Sequence, residues 1–265
     1  MKIKFLLVIA LVFLFSFSID SLHSVKANAA VTKVEDLKNS IVGVQAESSA
    51  EVLVRELLKD SLVNIRTYES VYNLVNALKD KKIDAAVMDE NPARFFAIED
   101  EEIKILPEAL ESEVYAIAFR KGESDFRNKV NKALSDIISD GTLAKIIEKY
   151  IGSEYPDPSE IDYNRDKNLP KLWVGCAASF PPYELRNEKG FVGIDIELCS
   201  AIAKKLNMEL VISDFKFDNL FDALVNKKID MICSGLTVTK ERLEHFDFSE
   251  PYEADSQVIM VLAAN

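Results

Sequence analysis

The chain has 265 residues, of which 48% are apolar and 29% charged, a composition typical of folded globular proteins and unlike that of disordered chains. This length is sufficient for one large domain or two small ones. The net charge of −12 argues against a basic surface that follows a nucleic-acid backbone, so we expect no nucleic acid as a partner.

The first thirty residues are typical of a secretory signal peptide. Lys2 and Lys4 precede an apolar run that begins at Phe5, and Ala27 and Ala29 supply the small residues of an A-x-A cleavage site. The apolar run is shorter than the ~20 residues that a membrane-spanning helix needs. We therefore expect cleavage after Ala29 and export to a periplasmic or other extracytoplasmic compartment.

The cysteine and histidine content argues against a metal site and a catalytic thiol. Cys176, Cys199 and Cys233 are the only cysteines, no C-x-x-C is present, and only two histidines occur in the chain. An odd number of thiols leaves at least one free or paired between chains. Cys199 lies in a helical pattern and Cys233 in an apolar strand pattern, so both are expected to be buried and unreactive. We expect no metal and no cofactor.

Strand patterns alternate with helical patterns along the chain, which is typical of α/β sheets. The sequence predicts strands at Ile41 to Val44, Leu62 to Ile65, Ile83 to Met88, Val114 to Phe119, Leu172 to Cys176, Glu209 to Ile212, Ile229 to Cys233 and Val258 to Leu262. It predicts helices at Ala50 to Lys59, Ser70 to Lys79, Pro92 to Ile98, Asp125 to Ser139, Leu143 to Tyr150, Ile194 to Leu206, Leu220 to Val225 and Lys240 to His245. Residues 152–170 contain three prolines and no apolar period, and are predicted to be a linker.

The chain contains an internal repeat. The sequence LVNALKDKKID begins at Leu74, and LFDALVNKKID begins 146 residues later at Leu220, with seven of eleven positions identical. In each copy a helical pattern ends at a polar turn, and Ile-Asp then opens an apolar strand. Two such copies predict two lobes of similar construction.

The segment from Ser234 to Arg242, which reads SGLTVTKER, follows a predicted strand directly. Ligands of open α/β sheets bind beyond the carboxyl ends of the strands, and small hydroxyl residues and glycine at a helix start suit an anion. Arg242 can add a bidentate pair to a carboxylate. Alternatively, Thr239 only caps the helix and Arg242 lies in solvent, and the spacing alone does not choose between these two interpretations.

Four ordered blocks resemble the first lobe of the periplasmic solute-binding proteins of polar amino-acid ABC transporters, extracellular solute-binding protein family 3. They are LWVGCAASFPPYE from Leu172, GFVGID from Gly190, SGLTVTKER from Ser234 and DFSEPY from Asp247. The second lobe of the same family is similar to four earlier stretches, which are Val34 to Gln45, Asp84 to Asp89, Glu113 to Gly122 and Asp140 to Gly152. The resemblance implies a two-lobed α/β fold of the type II periplasmic-binding-protein class, with a hinge of two crossover strands.

The order of the two lobes is swapped relative to the family, so the chain resembles a circular permutation. The resemblance implies a signal peptide at 1–29, lobe 2 at 30–115, a return strand and helices that pack on lobe 1 at 116–151, a linker at 152–170 and lobe 1 at 171–265. The linker is long enough to join the family's termini, since its roughly 18 residues span up to ~60 Å. A domain-swapped oligomer remains the alternative. We expect Val114 to Phe119 to be the only covalent crossover, beside Val258 to Leu262 as a free end, and the hinge to be loose.

The resemblance implies a role for each residue that would hold the backbone of an amino acid. Arg242 would pair with the α-carboxylate, Thr237 would donate its hydroxyl and N–H to the same group, and the Gly235 carbonyl would accept from the α-ammonium. Asp89 would complete the ammonium site from the second lobe, although taken alone it would be a solvated turn residue or a helix cap. Ser48 and Ser49 stand at positions from which the family reaches the carboxylate.

Four further positions concern the ligand side chain. The resemblance implies that the rings of Phe180 and Phe217 sandwich it, whereas without the resemblance both would belong to the core. Ala177 replaces an acid that many members use for a basic ligand, and Glu47 replaces a glycine beside Ser48. These departures favour opposite ligand charges, so the side chain of the ligand stays open.

The function that the resemblance implies is capture of a free amino acid by hinge closure, with delivery by a monomer to a membrane ABC permease. An exported enzyme on the same fold, dehydratase-like and acting on a small carboxylate, is the alternative, with Glu47 or Glu184 as its general acid or base. Glu184 follows Pro-Pro-Tyr and is expected to be structural instead. An amino-acid sensing module is the second alternative.

Overall fold

The structure is a computed structural model that describes residues 30–59, 64–150, 157–166 and 168–263. The expected signal peptide and its cleavage site lie outside the described residues. The described helices are α1 (Ser49–Leu57), α2 (Val71–Lys79), α3 (Glu90–Glu99), α4 (Ser124–Ser139), α5 (Thr142–Tyr150), α6 (Ile194–Leu206), α7 (Leu220–Val225) and α8 (Lys240–His245). Each predicted helix is present in the structure.

The strands in the described part of the chain fall into three sheets. They are β1 (Val42–Gln45), β2 (Ile65–Tyr68), β3 (Ala85–Asp89), β4 (Ile103–Ile105), β5 (Glu111–Tyr115), β6 (Ala118–Arg120), β7 (Lys171–Cys176), β8 (Ser179–Phe180), β9 (Glu184–Asn187), β10 (Gly190–Val192), β11 (Glu209–Asp214), β12 (Met231–Ile232), β13 (Phe246–Phe248) and β14 (Glu253–Leu262). The sequence patterns did not indicate β4, β13 and the hairpin sheet β8 to β10, whose strands are two to four residues long and too short for an alternating pattern to stand out.

Two larger sheets form the two lobes. In lobe 2 the strand order is β2-β1-β3-β14-β4, with β5 paired to β14, and in lobe 1 it is β11-β7-β12-β6-β13. In both lobes the first three strands in this order are parallel, and an antiparallel strand follows them. The carboxyl ends of the parallel strands meet at one edge of each sheet, where ligand sites of such sheets form.

The chain crosses between the two sheets twice in its described part. Residues 116–117 join β5 of lobe 2 to β6 of lobe 1, and residues 249–252 join β13 of lobe 1 to β14 of lobe 2. The expected single strand from Val114 to Phe119 is therefore two strands in two sheets. Both crossovers are covalent, so the expectation of only one intact crossover was wrong.

Strand β14 is not a free end that lies beside the hinge. Its residues pair with β3 on one side and with β4 and β5 on the other, and Val258 to Met260 are buried. Residues 253–262 therefore belong to the sheet of lobe 2, and the range expected for lobe 1, 171–265, ends too late. Lobe 1 is continuous from about 116 to 252, whereas lobe 2 combines 30–115 with 253–263.

The internal repeat corresponds to the same local structure in both lobes. Asp84 accepts a hydrogen bond from the amide of Ile41 at 2.7 Å, and Asp230 accepts one from Trp173 at 2.9 Å. The turn before each aspartate contains a lysine with positive φ, Lys81 at 56° and Lys227 at 58°. In both lobes, the aspartate that ends the repeated sequence is therefore hydrogen-bonded in the same way to the neighbouring parallel strand, β1 in lobe 2 and β7 in lobe 1.

The same repeat explains one glycine in each lobe. A side chain on Gly43 would meet Ile83 Cδ1 at 2.4 Å, and one on Gly175 would meet Ile229 Cδ1 at the same distance. The isoleucine that opens each repeated strand therefore packs over a bare backbone position of the neighbouring strand. This close approach of side chain and backbone is available only to glycine.

The second half of the expected linker packs on lobe 1. Ile161 is buried in the core with Tyr163 beside it, Ser200 Oγ donates to the Asp162 carbonyl at 2.6 Å, and Asn164 donates to the Met208 carbonyl at 2.9 Å. This part of the segment is therefore attached to α6 and β11 instead of crossing solvent. Residues 151–156 lie outside the described part.

All three cysteines are free and buried, as expected for Cys199 and Cys233. Burial raises the pKa of the Cys176 and Cys233 thiols well above the usual range, which disfavours the reactive thiolate. In the part of the chain that the structure describes, no helix is long and apolar enough to cross a membrane.

Candidate functional site

The two lobes face each other through loops that follow their parallel strands. In lobe 1, β12 leads through Ser234 and Gly235 to α8, whose N-cap Thr239 accepts from the Arg242 amide at 3.2 Å. In lobe 2, β1 leads to α1, whose N-cap Ser48 accepts from the Glu51 amide at 3.2 Å. Both loops lie at the carboxyl ends of the strands, as the sequence analysis expects for a ligand cleft.

The lobe 1 loop that follows β12 is held by hydrogen bonds to two buried carboxyl groups. Ser234 donates its hydroxyl to Glu184 at 2.5 Å and accepts the Ala177 amide at 2.9 Å. The Gly235 amide donates to Asp195 at 2.7 Å, and the Tyr252 hydroxyl donates to the same oxygen at 2.9 Å. These contacts fix the position of Ser234 and Gly235 at the start of the loop.

The environment of the two carboxyl groups favours their protonated forms. Burial raises the pKa of Asp195 to about 6, although the bonds from Gly235 and Tyr252 oppose the rise. Burial also raises the pKa of Glu184 well above its usual range, and the charge of Asp195 adds to this effect. Glu184 is fully buried and bonded to Ser234, so it supports the loop and does not face the cleft.

Gly235 has a φ of +48°, and a Cβ there would lie 2.5 Å from the ring of Phe180. Glycine is therefore required both by the backbone conformation and by the aromatic side chain that covers it. Phe180 also stacks on Tyr183, with ring centroids 5.7 Å apart and an angle of 23° between the rings. The loop and the aromatic wall of the cleft are thus packed against each other.

Arg242 joins the two lobes. Its Nη1 donates to the Thr237 carbonyl of its own lobe at 2.8 Å, and its Nη2 donates to the Glu47 carbonyl of lobe 2 at 2.9 Å. The guanidinium lies over the rings of Phe217 and Phe221 at 5.7 and 5.4 Å. Burial lowers the pKa of Arg242 to about 10, which keeps it charged at neutral pH. Arg242 therefore does not lie in open solvent.

A second set of contacts between the lobes centres on the hydroxyl groups of Ser49 and Thr237. Their oxygens are 3.2 Å apart, and both donate to Glu113 Oε2, at 3.0 Å from Ser49 and 2.9 Å from Thr237. Gln257 donates to the other oxygen of Glu113 at 2.9 Å. Glu113 and Gln257 lie on the neighbouring strands β5 and β14, so the crossover strands form the floor of the cleft.

Asp89 ends β3 and stands at the N-cap of α3, but its side chain makes no cap hydrogen bond. The side chain is buried, accepts from the Tyr115 hydroxyl at 2.7 Å, and also accepts from the Gln257 amide. Burial raises the pKa of Asp89 well above its usual range, and the charge of Glu113 raises it further. A cationic group in the cleft would stabilise the ionised form.

Six of the ten residues expected in the site line one cavity between the lobes. These six are Ser48, Asp89, Ala177, Phe180, Phe217 and Gly235. Glu47, Ser49 and Arg242 line the adjoining groove, and Thr237 lies with Ser49 along a third one. The cavity has about 30 Å³, room for about two water molecules, so a larger ligand enters only when the lobes separate.

The sequence analysis missed three polar residues of the cleft, namely Gln45, Glu113 and Gln257. Gln45 ends β1 and lines the cavity, whereas Glu113 and Gln257 lie on the crossover strands at the floor of the cleft. Each is the last or nearly the last polar residue of a strand that crosses or ends at the cleft. Such a position alone is a weak signal of a binding site. Glu113 and Gln257 meet only through the pairing of β5 with β14, which joins residues 144 positions apart.

The sequence model of one protein family matches both lobes. It describes bacterial extracellular solute-binding proteins, family 3, and matches residues 24–153 and 172–265. The chain belongs to this family. Membership confirms the family expected from the sequence and, together with the two α/β sheets, the expected two-lobed type II fold.

Curated relatives in the family match over about a third of their length. The arginine-binding extracellular protein ArtP of Bacillus subtilis (strain 168) is 38% identical over 90 residues, which are 34% of this chain and 35% of the relative. A probable histidine-binding protein of Neisseria gonorrhoeae is 39% identical over 89 residues, 33% of either chain. The arginine-binding protein 1 of an Escherichia coli K12 ABC transporter is 33% identical over 91 residues, 34% of this chain and 37% of the relative.

The matches to solved structures also span only about a third of this chain. An ancestral arginine-binding protein bound to glutamine is 44% identical, with a TM-score of 0.31, over 31% of this chain and 37% of that chain. Domain 1 of TmArgBP in its arginine-bound form is 40% identical, with a TM-score of 0.31, over 35% of this chain and 79% of that chain.

Proposed function

We propose that the protein captures a free amino acid between its two lobes outside the cytoplasm and delivers it, as a monomer, to a membrane ABC permease. The observation that carries this proposal is the placement of Arg242 and Asp89, a cation on lobe 1 and a carboxylate on lobe 2, at one cleft. A zwitterion needs such a pair at its two ends. The family supports this proposal, as do the relatives that are named as arginine-binding proteins.

The roles of the site residues follow from the chemistry of a zwitterion. The guanidinium of Arg242 is the cation for the α-carboxylate, and the hydroxyls of Ser49 and Thr237 turn from Glu113 to donate to it when the ligand binds, with Ser48 beside them at the start of α1. Asp89 and the Gly235 carbonyl are the acceptors for the α-ammonium. The rings of Phe180 and Phe217 form the walls of the side-chain pocket. Glu47 contributes its backbone carbonyl to Arg242, not its carboxylate.

Capture proceeds by closure of one lobe on the other. The donors for the carboxylate come from both lobes, and Asp89 comes from lobe 2 alone, so an amino acid held by Arg242 gains its remaining contacts only when the cleft shuts. The ligand shifts the open and closed populations through these lobe 2 contacts. In the closed structure, Arg242 and Glu47, Ser49 and Thr237, and Lys216 and Glu69 contact each other across the cleft.

The lobe order is part of the proposal. We infer a circular permutation in which the break falls in lobe 2, between the end of β14 and residue 30, while both crossovers stay intact. The signal peptide at 1–29, cleaved after Ala29, directs this permuted chain out of the cytoplasm. A domain-swapped pair of chains is distinguished by its mass in solution, which would be that of a dimer.

The amino-acid-binding role is favoured over an exported dehydratase because neither candidate acid lines the cavity between the lobes. Glu184 lies fully buried under the lobe 1 loop, and Glu47 offers its carbonyl to Arg242. A general acid or base must reach the reacting group of its substrate.

Equilibrium dialysis against a mixture of isotopically labelled amino acids tests the proposal. We expect one or a few of them to be retained on the protein side, unchanged in mass, and to be lost with Asp89→Asn. An equal distribution of every amino acid would refute binding, and conversion of a small carboxylate to a product would favour the enzyme. Amino-acid binding without uptake by permease-containing vesicles would favour the sensing module.

A further inference from the structure

The side-chain end of the cleft is almost free of charged groups. Beyond the residues that face the backbone of the ligand, the cavity is lined by Val71, Val87, Met88 and Ala177 and by the rings of Phe180 and Phe217. Asp89 is the only ionisable residue among those that line it. This inference rests on the proposed amino-acid binding and concerns which amino acid the same site takes.

A charged ligand side chain has no counterion in this pocket. Asp89 serves the α-ammonium, and Arg242, whose guanidinium lies over the ring of Phe217, serves the α-carboxylate. Ala177 lies against the cavity with only a methyl group, and its amide is already bonded to Ser234. A guanidinium or ammonium group that closes into this pocket would be desolvated without a partner, which is strongly unfavourable. A second carboxylate meets the same obstacle.

Gln45 is the one polar side chain of the pocket with hydrogen-bonding capacity to spare. The residue is 8% exposed, and its amide group makes no hydrogen bond with any described residue. Ser234, the other polar residue at this end, already donates to Glu184 and accepts from Ala177. The amide of Gln45 therefore has both a donor and an acceptor available.

The strand geometry directs Gln45 toward the cavity. Side chains two positions apart on a strand share one face of the sheet, and Gly43 faces Leu74 of α2 and Ile83. Gln45 therefore points to the same side, at the end of β1 where Val71 begins α2 and lines the cavity. A buried amide without a partner is unfavourable, so a ligand that pairs with it gains selectivity over one that does not.

We propose that the site selects an amino acid with an uncharged carboxamide side chain, glutamine or asparagine, and that Gln45 determines this choice. A carboxamide presents one donor and one acceptor in a plane, which matches the amide of Gln45 group for group. The methylene groups of the same side chain suit the apolar walls formed by Phe180, Phe217 and Met88.

Isothermal titration calorimetry with glutamine, asparagine, leucine, glutamate, arginine, lysine and histidine tests the proposal. We expect glutamine or asparagine to bind at least 10-fold more tightly than every charged amino acid and than leucine. Tightest binding of arginine, lysine or histidine would overturn the proposal while leaving amino-acid binding intact, as would equal binding of leucine. No binding by any amino acid would instead contradict the proposed function itself.

Two variants of Gln45 separate its role from a structural one. Gln45→Leu is expected to weaken glutamine or asparagine binding at least 10-fold while leucine binding is unchanged or stronger. Gln45→Glu keeps the shape but adds a carboxylate, and is expected to shift the preference toward arginine or lysine at least 10-fold. Asn128→Leu, at an exposed position of α4, serves as the control and is expected to leave every affinity unchanged. An unaltered order of affinities in both Gln45 variants would refute the assignment.

Discussion

The guanidinium of Arg242, in lobe 1, donates to the backbone carbonyl of Glu47, in lobe 2, at 2.9 Å. The same guanidinium also holds the Thr237 carbonyl of its own lobe. A single guanidinium thus contacts both lobes, and its contact with lobe 2 exists only when the cleft is closed. In the proposed function, ligand binding and lobe closure therefore depend on the same side chain.

Arg242→Ala is expected to reduce amino-acid affinity at least about 100-fold, because loss of one partner of a desolvated charge pair costs about 2–5 kcal/mol or more. The measurement is isothermal titration calorimetry, with circular dichroism to verify the fold. Arg165→Ala is the matched control, since Arg165 is exposed, lies over the ring of Tyr163 in the segment that packs on lobe 1, and lines none of the three cavities described above. Unchanged affinity in the Arg242 variant would remove this residue from the site.

Glu47→Gly is expected to raise the melting temperature by about 1–4 °C. Glu47 has a φ of +61°, where a residue with a side chain is strained by roughly 1–2 kcal/mol, and the extra flexibility of unfolded glycine offsets about half of that gain. Glu47→Ala keeps the strain and removes only the carboxylate, so it should show no such rise. A thermal melt in which the alanine variant gains as much as the glycine variant would contradict this explanation.

The free energy of unfolding is expected to fall as the pH rises from about 5 to about 7. Burial raises the pKa of Glu253 to about 7 and that of Asp195 and Asp255 to about 6, above the roughly 4 of unfolded acids. The folded chain then holds more protons than the unfolded chain in this interval, so stability falls as the pH rises through it.

Glu253→Gln tests this dependence, since Glu253 has a buried oxygen without a hydrogen-bond partner. Urea unfolding at several pH values should give a flatter profile for this variant than for the wild type. The exposed Glu108 supplies the control, and Glu108→Gln should keep the wild-type slope. Equal slopes in wild type and Glu253→Gln would assign the effect to other groups.

The amides of β14 are expected to exchange with solvent as slowly as those of the sheet cores. Residues 257–260 pair with β3, and the strand also pairs with β4 and β5, so exchange requires opening at the centre of the lobe 2 sheet. Deuterium exchange followed by mass spectrometry provides the measurement. Rapid exchange across 256–262, comparable to that of exposed loops, would restore the loose hinge that the sequence suggests.

Much of the architecture could be predicted from the sequence because it depends on local patterns. The apolar period of 3.6 located each helix, and the repeated Ile-Asp motif identified the same strand in each lobe, where Asp84 and Asp230 hold the neighbouring strand. The crossover at 249–252 could not be found in this way. It consists of a short irregular segment after a three-residue strand, with no pattern that marks a change of sheet.

The site was predictable only in part, for a similar physical reason. Arg242 and Asp89 stand beside recognisable motifs, whereas Glu113 enters the site through pairing of β5 with the distant strand β14. In the sequence, Gln45 is an ordinary polar residue at the end of a predicted strand. Only the structure places it with Val71 and Phe180 around the same cavity. Contacts between segments far apart in the chain decide both cases.

The decisive measurement is thermal unfolding of residues 30–265 in the presence of each of the twenty amino acids. A ligand at 100 times its Kd stabilises the native state by about 2.7 kcal/mol, which corresponds to a rise of about 5–10 °C for a chain of this size. The account predicts such a rise with one or a few amino acids and its loss in Arg242→Ala. A cooperative transition whose midpoint is unmoved by every amino acid would contradict it.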